Sequence, residues 1–364
     1  MKEIDWSKVP SAPVTGLNAC DNTTFNKVAI ADSGADKNCW WTCDDAHCER
    51  TTDITSCPEK GHWGLTYDDG PSPSTPRLLT ALQKNNLLAT FFVVGSRVVS
   101  RPQMLQSTHM LGHQISAHTW AHPSLTTLSN EGVVAELGWS RKAIKDVLGV
   151  TPNTMRPPFG DIDDRVRAIS MQMGLTPIIW TVNHKTALSY DTFDWQIGQP
   201  GVTEASVFKN FQTIINSTAS LDSGFILLEH DLDESAVDLA VDEILPEALA
   251  YTPKLTIEPV ITCQGFDMAQ AYVETFDKSA QASVAGSGSS GTSAPAASGS
   301  SASATTKGSK ASSSAAAASG AASQSAAPAS ASAVNDVSGA EKRGVWGAVG
   351  AVAAAAAGAL AVLA

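Results

Sequence analysis

Trp63-Gly64-Leu65-Thr66-Tyr67-Asp68-Asp69-Gly70-Pro71 is a short apolar run that ends in two carboxylates and a turn. The same pattern, an apolar run discharging into polar groups, recurs along the chain. Runs rich in β-branched and aromatic residues occur at Trp63–Tyr67, Thr90–Val94, Gln114–Ala117, Pro177–Val182, Phe225–Leu228 and Leu255–Ile261, and these read as strands. Amphipathic stretches at Ser74–Asn85, Ser129–Leu148, Asp163–Met173, Ser206–Thr218 and Glu234–Ala250 read as helices between them. Ser129-Asn130-Glu131 supplies a polar start to the second of these and Gly149 a stop. Regular alternation of strand and helix predicts an α/β fold, either a barrel or a doubly wound sheet. In a barrel the functional groups gather at the C-terminal ends of the strands.

The residues after each strand are chemically related. The first run ends in Asp68-Asp69, and the third in His118-Thr119-Trp120-Ala121-His122. A segment at Met155 leads into Arg156-Pro157-Pro158-Phe159-Gly160-Asp161, and the run at Phe225 ends Leu228-Glu229-His230-Asp231. His118 and His122 are four apart, so one helical turn would put both rings on one face. Alone, such a pair is an ordinary pair of polar side chains, and an Asp pair before Gly-Pro is an ordinary turn. Together, two imidazoles and a carboxylate make three ligands for a catalytic divalent ion with a fourth position open. The second carboxylate is then free to act as a base toward water.

These stretches carry a resemblance. TYDDGP (Thr66–Pro71), HTWAH (His118–His122), RPPFGD (Arg156–Asp161), DTFDW (Asp191–Trp195) and LEH (Leu228–His230) resemble the five ordered motifs of the carbohydrate esterase family 4 polysaccharide deacetylases, fungal chitin deacetylases in particular. The resemblance spans roughly Trp63 to Ala271 and implies a distorted (β/α)7 barrel holding one divalent ion, zinc first and cobalt as a substitute. It implies Asp69, His118 and His122 as metal ligands and Asp68 as general base, with Arg156 keeping Asp68 ionised. His230 is implied as general acid, with Asp191 setting its orientation and raising its pKa. The backbone N–H of Phe159 is implied as an oxyanion donor. Trp195 and Leu228 are implied as an apolar wall around the acetyl methyl, with Pro158 a further substrate contact. The reaction implied is removal of N-acetyl groups from chitin to give chitosan and acetate. Partly deacetylated chitosan and other acetylated polysaccharides are the alternatives within the class, and a non-catalytic chitin-binding wall protein is the alternative outside it.

Two departures matter. Phe159 stands where the motif usually has Tyr, which is harmless only if the donor is main-chain. Extra residues, Thr181 to Tyr190, precede the fourth motif, so Asn183 competes with Asp191 as the partner of His230; the Asp-x-x-Asp-Trp spacing favours Asp191. His62, His109, His113 and His184 fall outside the motifs and read as surface, packing or loop residues. Trp40-Trp41, beside Cys39 and Cys43, reads either as a sugar-stacking pair or as the small core of a cystine-bearing segment.

Composition sets the compartment. A net charge of -12 in 364 residues, with no basic stripe, excludes a general nucleic-acid binder. Only 16% of residues are charged, because Ser279–Ala333 is almost wholly Ser, Ala, Gly and Thr. Such a segment cannot bury enough apolar area to offset its ordering entropy and is expected to be a disordered stalk, within a region 276–337. After it come Ser338-Gly339-Ala340, a short charged spacer and an apolar run, Val345–Ala364, which together fit a GPI-anchor signal over 338–364 with Ser338 or Asn335 as attachment site. The rival is a true transmembrane helix. A GPI signal demands the secretory route, and as Met1–Asp5 is no signal peptide, a leader is expected to be missing from this sequence. Six cysteines (Cys20, Cys39, Cys43, Cys48, Cys57 and Cys263) are expected to form three disulfides rather than a zinc cluster, with fifteen pairings open. The sequons at Asn22 and Asn216 suit glycosylation in that compartment. The expected organisation is therefore a cystine-bearing segment over 1–60, a catalytic domain over 61–275, a stalk and an anchor signal. The expected product is a monomer at the cell membrane and cell wall, linked to the membrane through lipid alone.

Overall fold

A computed structural model describes residues 3–17, 19–43 and 47–276. The stalk, the anchor signal and Ser338 lie outside the described residues. Strands β1 (His62–Gly64) and β2 (Thr66–Asp68) are one chain path interrupted at Leu65. They are followed by β3 (Thr90–Val93), β4 (Gln114–Ala117), β5 (Thr154–Met155) and β6 (Thr176–Pro177). A hairpin, β7 (Val182–Asn183) with β8 (Leu188–Ser189), precedes β9 (Phe225–Ile226) and β10 (Thr256–Glu258).

The sheet β2-β3-β4-β5-β6 is parallel throughout, and β1 pairs in parallel with both β9 and β10. Single hydrogen bonds close the ring. Thr181 N–H donates to Ile226 O, Leu228 N–H to Tyr190 O, and the far end of β2 meets His230 through a bridge at Asp68. The result is a distorted barrel of parallel strands with helices outside it, the one of the two α/β folds open to the strand–helix alternation that the family resemblance implies.

Alternation along the strands sorts the side chains. Trp63, Leu65 and Tyr67 face outward into a buried layer with Phe91, Phe211 and Phe225, where Trp63 stacks on Phe225 at 5.5 Å between ring centroids. Thr66 and Asp68, one residue out of step, face the barrel interior. The expected helices appear at Thr75–Lys84, Asn130–Leu148, Asp164–Gln172 and Glu204–Ser217. Ser129 caps the second through Gly132 N–H, and Gly149 ends it in a left-handed turn at φ 78°. The helix expected from Ser206 starts two residues earlier because Thr203 and Ser206 cap each other reciprocally. Glu234–Ala250 is helical throughout, with a π segment at Ala240–Ile244. The Leu255–Ile261 run is strand only to Glu258, since helix resumes at Val260.

The cysteines pair Cys20–Cys43, Cys39–Cys48 and Cys57–Cys263. The first two fasten the N-terminal segment to itself, and the third ties that segment to the end of the barrel. Trp40 and Trp41 are both buried, so they form core and are not a sugar-stacking surface. Among the described residues no helix is long and apolar enough to cross a membrane.

Candidate active site

The ends of β2, β4, β5 and β9 meet at one mouth of the barrel. Asp68 and Arg156 are both buried there, and Arg156 Nη1 donates to Asp68 Oδ1 at 2.7 Å and to Thr66 Oγ1 at 2.9 Å. The guanidinium lies 4.1 Å from the centroid of Phe92, so an aromatic face and a carboxylate fix it together. Burial pushes the Arg156 pKa down from its ordinary value, with Asp68 opposing that shift.

Asp69 follows in a left-handed conformation, φ 78°, ahead of a cis Gly70-Pro71 bond. That turn points its carboxylate at the two imidazoles. Asp69 Oδ1 is 3.4 Å from His118 Nε2 and 3.2 Å from His122 Nε2, and it has no hydrogen-bond partner among the described residues. One ligand atom from each of the three lies within 4.8 Å of the others. His118 Nδ1 donates to Arg156 O at 2.8 Å, a bond that turns Nε2 toward Asp69. Burial, with His118 beside it, pushes His122 down to about 3, so this ring is neutral and able to ligate. Burial disfavours the Asp69 anion, but His118, His122 and His230 outweigh it and hold its pKa well below the usual carboxylate range. Two imidazoles and a carboxylate whose buried oxygen has no hydrogen-bond partner among the described residues fit a divalent cation.

The HTWAH stretch is not the helical turn its i,i+4 spacing suggests. His118 closes β4, and the chain then turns through Thr119 (φ 62°) and His122 (φ 63°), both left-handed. Glu136, from the helix Asn130–Leu148, holds that turn by accepting from Trp120 N–H at 2.7 Å and Ala121 N–H at 2.9 Å. Glu136 has no motif signal in the sequence, because its role exists only once the helix packs on the turn.

Across the mouth, His230 Nδ1 is 2.6 Å from Asp194 Oδ1, and His230 N–H donates to Asp194 Oδ2 at 2.7 Å. The expectation that Asp191 orients His230 is therefore corrected. Asp191 instead accepts from Phe193 N–H at 2.8 Å and from the Trp195 indole at 3.5 Å. Phe193 is left-handed at φ 62°, and this reversal swings Asp194 toward His230 while Asp191 stays behind as the turn's internal acceptor. Asn183, the other candidate, sits on the β7–β8 hairpin and donates to Ser220 Oγ at 3.0 Å. Burial disfavours the His230 cation, but Asp194, then Asp69 and Asp68, raise its pKa to about 10. Burial raises Asp191 to about 6.

Of the other expected residues, Leu228 and Pro158 are buried at the mouth, while Trp195 and Phe159 are exposed. Phe159 has φ 60° and sets its ring edge-on to His122 at 4.6 Å. The N–H groups that follow it, on Gly160 and Asp161, turn back onto Pro157 O and Pro158 O. Asn216 is exposed on its helix and Asn22 is half-buried.

Residues 55–178 match the polysaccharide deacetylase family. Chitin deacetylase 2 of Saccharomyces cerevisiae is 36% identical over 240 residues, covering 65% of this chain and 67% of that protein. The chain belongs to the polysaccharide deacetylase family. Another family member, chitin deacetylase 1 of Cryptococcus neoformans var. grubii, is 52% identical over 290 residues, 79% of this chain and 59% of the relative. The chain thus spans about three fifths of the length of that relative and 62% of the chitin deacetylase of Amylomyces rouxii. The solved chitin deacetylase of Colletotrichum lindemuthianum superposes with a TM-score of 0.52 at 27% identity, covering 60% of this chain and 94% of that one.

Proposed function

We propose that this polysaccharide deacetylase hydrolyses the N-acetyl groups of chitin, releasing acetate and leaving chitosan. The observation that carries the reading is the pairing across one mouth: Asp68 held by Arg156 on one side, His230 held by Asp194 on the other. Asp69, His118 and His122 would hold a divalent ion, zinc or in its place cobalt, which when bound supplies Lewis-acid polarisation of the acetyl carbonyl and lowers the pKa of a water. Asp68 takes a proton from the attacking water, and Arg156 holds that carboxylate oriented beforehand. The carbonyl oxygen gains the electron pair as the tetrahedral centre forms, and the Phe159 N–H donates to it. His230 then gives its Nε2 proton to the glucosamine nitrogen, so that the C–N bond breaks toward an amine and not an amide anion. Trp195 and Leu228 wall the methyl, and Pro158 flanks the entrance.

A second reading, preference for partly deacetylated chains, is supported by the net charge of -12, which favours a cationic polymer over a neutral one. The three disulfides and the exposed Asn216 support passage through the secretory route. From the small residues, short spacer and apolar run of the C-terminal sequence we propose a GPI lipid attached near Ser338 and a monomer at the cell membrane and wall. The test is acetate release from N-acetylglucosamine oligomers of increasing length, comparing zinc-loaded wild type with Asp68→Asn and EDTA-treated protein. Release that grows with length and is lost in both controls supports chitin. Release only from chitosan or acetylxylan moves the substrate, and silence on all three with zinc bound favours a binding protein.

A further inference from the structure

The loop that carries Phe159 is held from outside the barrel. Phe159, at φ 60° and ψ 13°, occupies a conformation that costs an aromatic residue about 1–3 kcal/mol and persists only where its surroundings impose it. Its own side chain is 56% exposed and does little to impose it. The grip comes from Trp40–Thr42, which lies between Cys39 and Cys43 in the cystine-bearing segment and outside the family match at 55–178. Trp41 is buried against Gly160 and meets Trp180 edge-on at 4.9 Å. Gly160 has φ 66°, and a Cβ built there would fall 2.4 Å from Trp41 Cζ3, so only glycine lets the indole seat beneath the loop. Trp41 N–H donates to Ile162 O at 3.0 Å. Asp161, two residues after Phe159, accepts from Trp40 Nε1 and Thr42 Oγ1, both at 2.8 Å, through one oxygen. Its other oxygen accepts from Thr126 N–H at 3.0 Å and Thr126 Oγ1 at 2.7 Å. The segment is itself clamped to the barrel by Arg50 on Asp164 at 2.7 Å and by Arg167, which donates to the carbonyls of Cys39 and Cys48.

We propose that Trp41 is a positioning residue for deacetylation: through Gly160 and Ile162, with Trp40 and Thr42 holding Asp161 beside it, it sets the direction of the Phe159 N–H, so the N-terminal cystine segment is part of the catalytic machinery. The inference rests on the reading that this N–H receives the oxyanion. A donor misdirected in the transition state lowers kcat and leaves ground-state binding alone. The expected metal ligands come from other strands, but His122 meets the Phe159 ring and His118 bonds Arg156 O, so zinc content must be read beside the rate.

The test compares zinc-loaded wild type, Trp41→Ala, Trp41→Phe and Thr42→Val in the full chain, with zinc content measured for each and rates expressed per zinc-loaded molecule. Trp41→Ala is expected to lower kcat by about 10- to 100-fold with KM within about twofold. Trp41→Phe, which keeps an aromatic under Gly160, is expected to recover most of that, and Thr42→Val to lose about fivefold. Hydrogen exchange over residues 157–162 is expected to quicken in Trp41→Ala and Thr42→Val and to stay near wild type in Trp41→Phe. Unchanged kcat in both weakened variants, a loss carried by KM alone, or unchanged exchange in the loop would overturn the proposal. If Trp41→Ala does not fold, Thr42→Val decides by the same readings. An inactive wild type would remove the deacetylase reading, and loop exchange would then decide whether Trp41 holds the loop.

Discussion

Asp194 and Asp191 are three residues apart, both buried, and only one touches His230. That difference predicts different pH profiles. The His230 proton is present below its raised pKa of about 10 and lost above it, so the alkaline limb of kcat reports its release. Asp194→Asn removes the anion that raises the pKa, and the limb is expected to move to lower pH with reduced kcat; Asp191→Asn is expected to leave it in place. The same pair stabilises the fold fully below the ordinary value of 6.5, and that contribution fades as pH rises toward about 10. Asp68 and Arg156 make a second residue-scale test. Removing one partner of a fully buried pair costs about 3–5 kcal/mol. Arg156→Met is therefore expected to lower stability by that amount, read by denaturant unfolding, whereas Asp68→Asn with Arg156→Met should recover stability without recovering acetate release. Asp68, Asp69, His118, His122 and His230 were legible in the sequence as polar groups following apolar runs, and their proposed roles came from the family resemblance. Asp194 was not, because DTFDW offers two carboxylates and only the left-handed turn at Phe193 decides between them.

At the scale of elements, the turn after β4 depends on a helix that starts eight residues beyond His122. Glu136 satisfies two consecutive N–H groups of that turn, which contains two left-handed residues and would otherwise relax. Groups outside the ligand set that orient a ligand are worth about 10–100-fold in metal affinity. Glu136→Ala is expected to raise the zinc Kd by about tenfold in competition with a chelator, and an unchanged Kd would show that the turn is held by its strand alone. Long amphipathic helices were read from periodicity almost to their caps. Two-residue strands such as β5 and β6 carry no periodicity of their own, and the helices Gly95–Ser100 and Pro102–Met110 are too short to display one. The i,i+4 spacing of His118 and His122 misleads for a related reason: a strand end followed by a turn can bring the same two rings together without a helix.

For the whole molecule, the barrel closes through a few hydrogen bonds around Thr181, Tyr190 and Leu228 instead of a full ladder. The Cys57–Cys263 link stands beside β1 and β9, where Gly224 N–H donates to Cys57 O, and it bridges a separation of 206 residues. Loop-closure entropy gives such a link about 2–5 kcal/mol. Cys57→Ser with Cys263→Ser is expected to lower unfolding stability by that amount while leaving zinc content near wild type. The pairing itself was not legible, since six cysteines admit many partners and only the three-dimensional path selects one.

That link has a consequence for chain integrity. Every strand of the barrel, with Asp68, Asp69, His118, His122 and His230, lies between its two ends, so the barrel is a covalent circle. A protease that cuts any one surface loop inside that circle opens it without releasing a fragment. The two pieces remain joined and in register, and they part on a gel only after reduction.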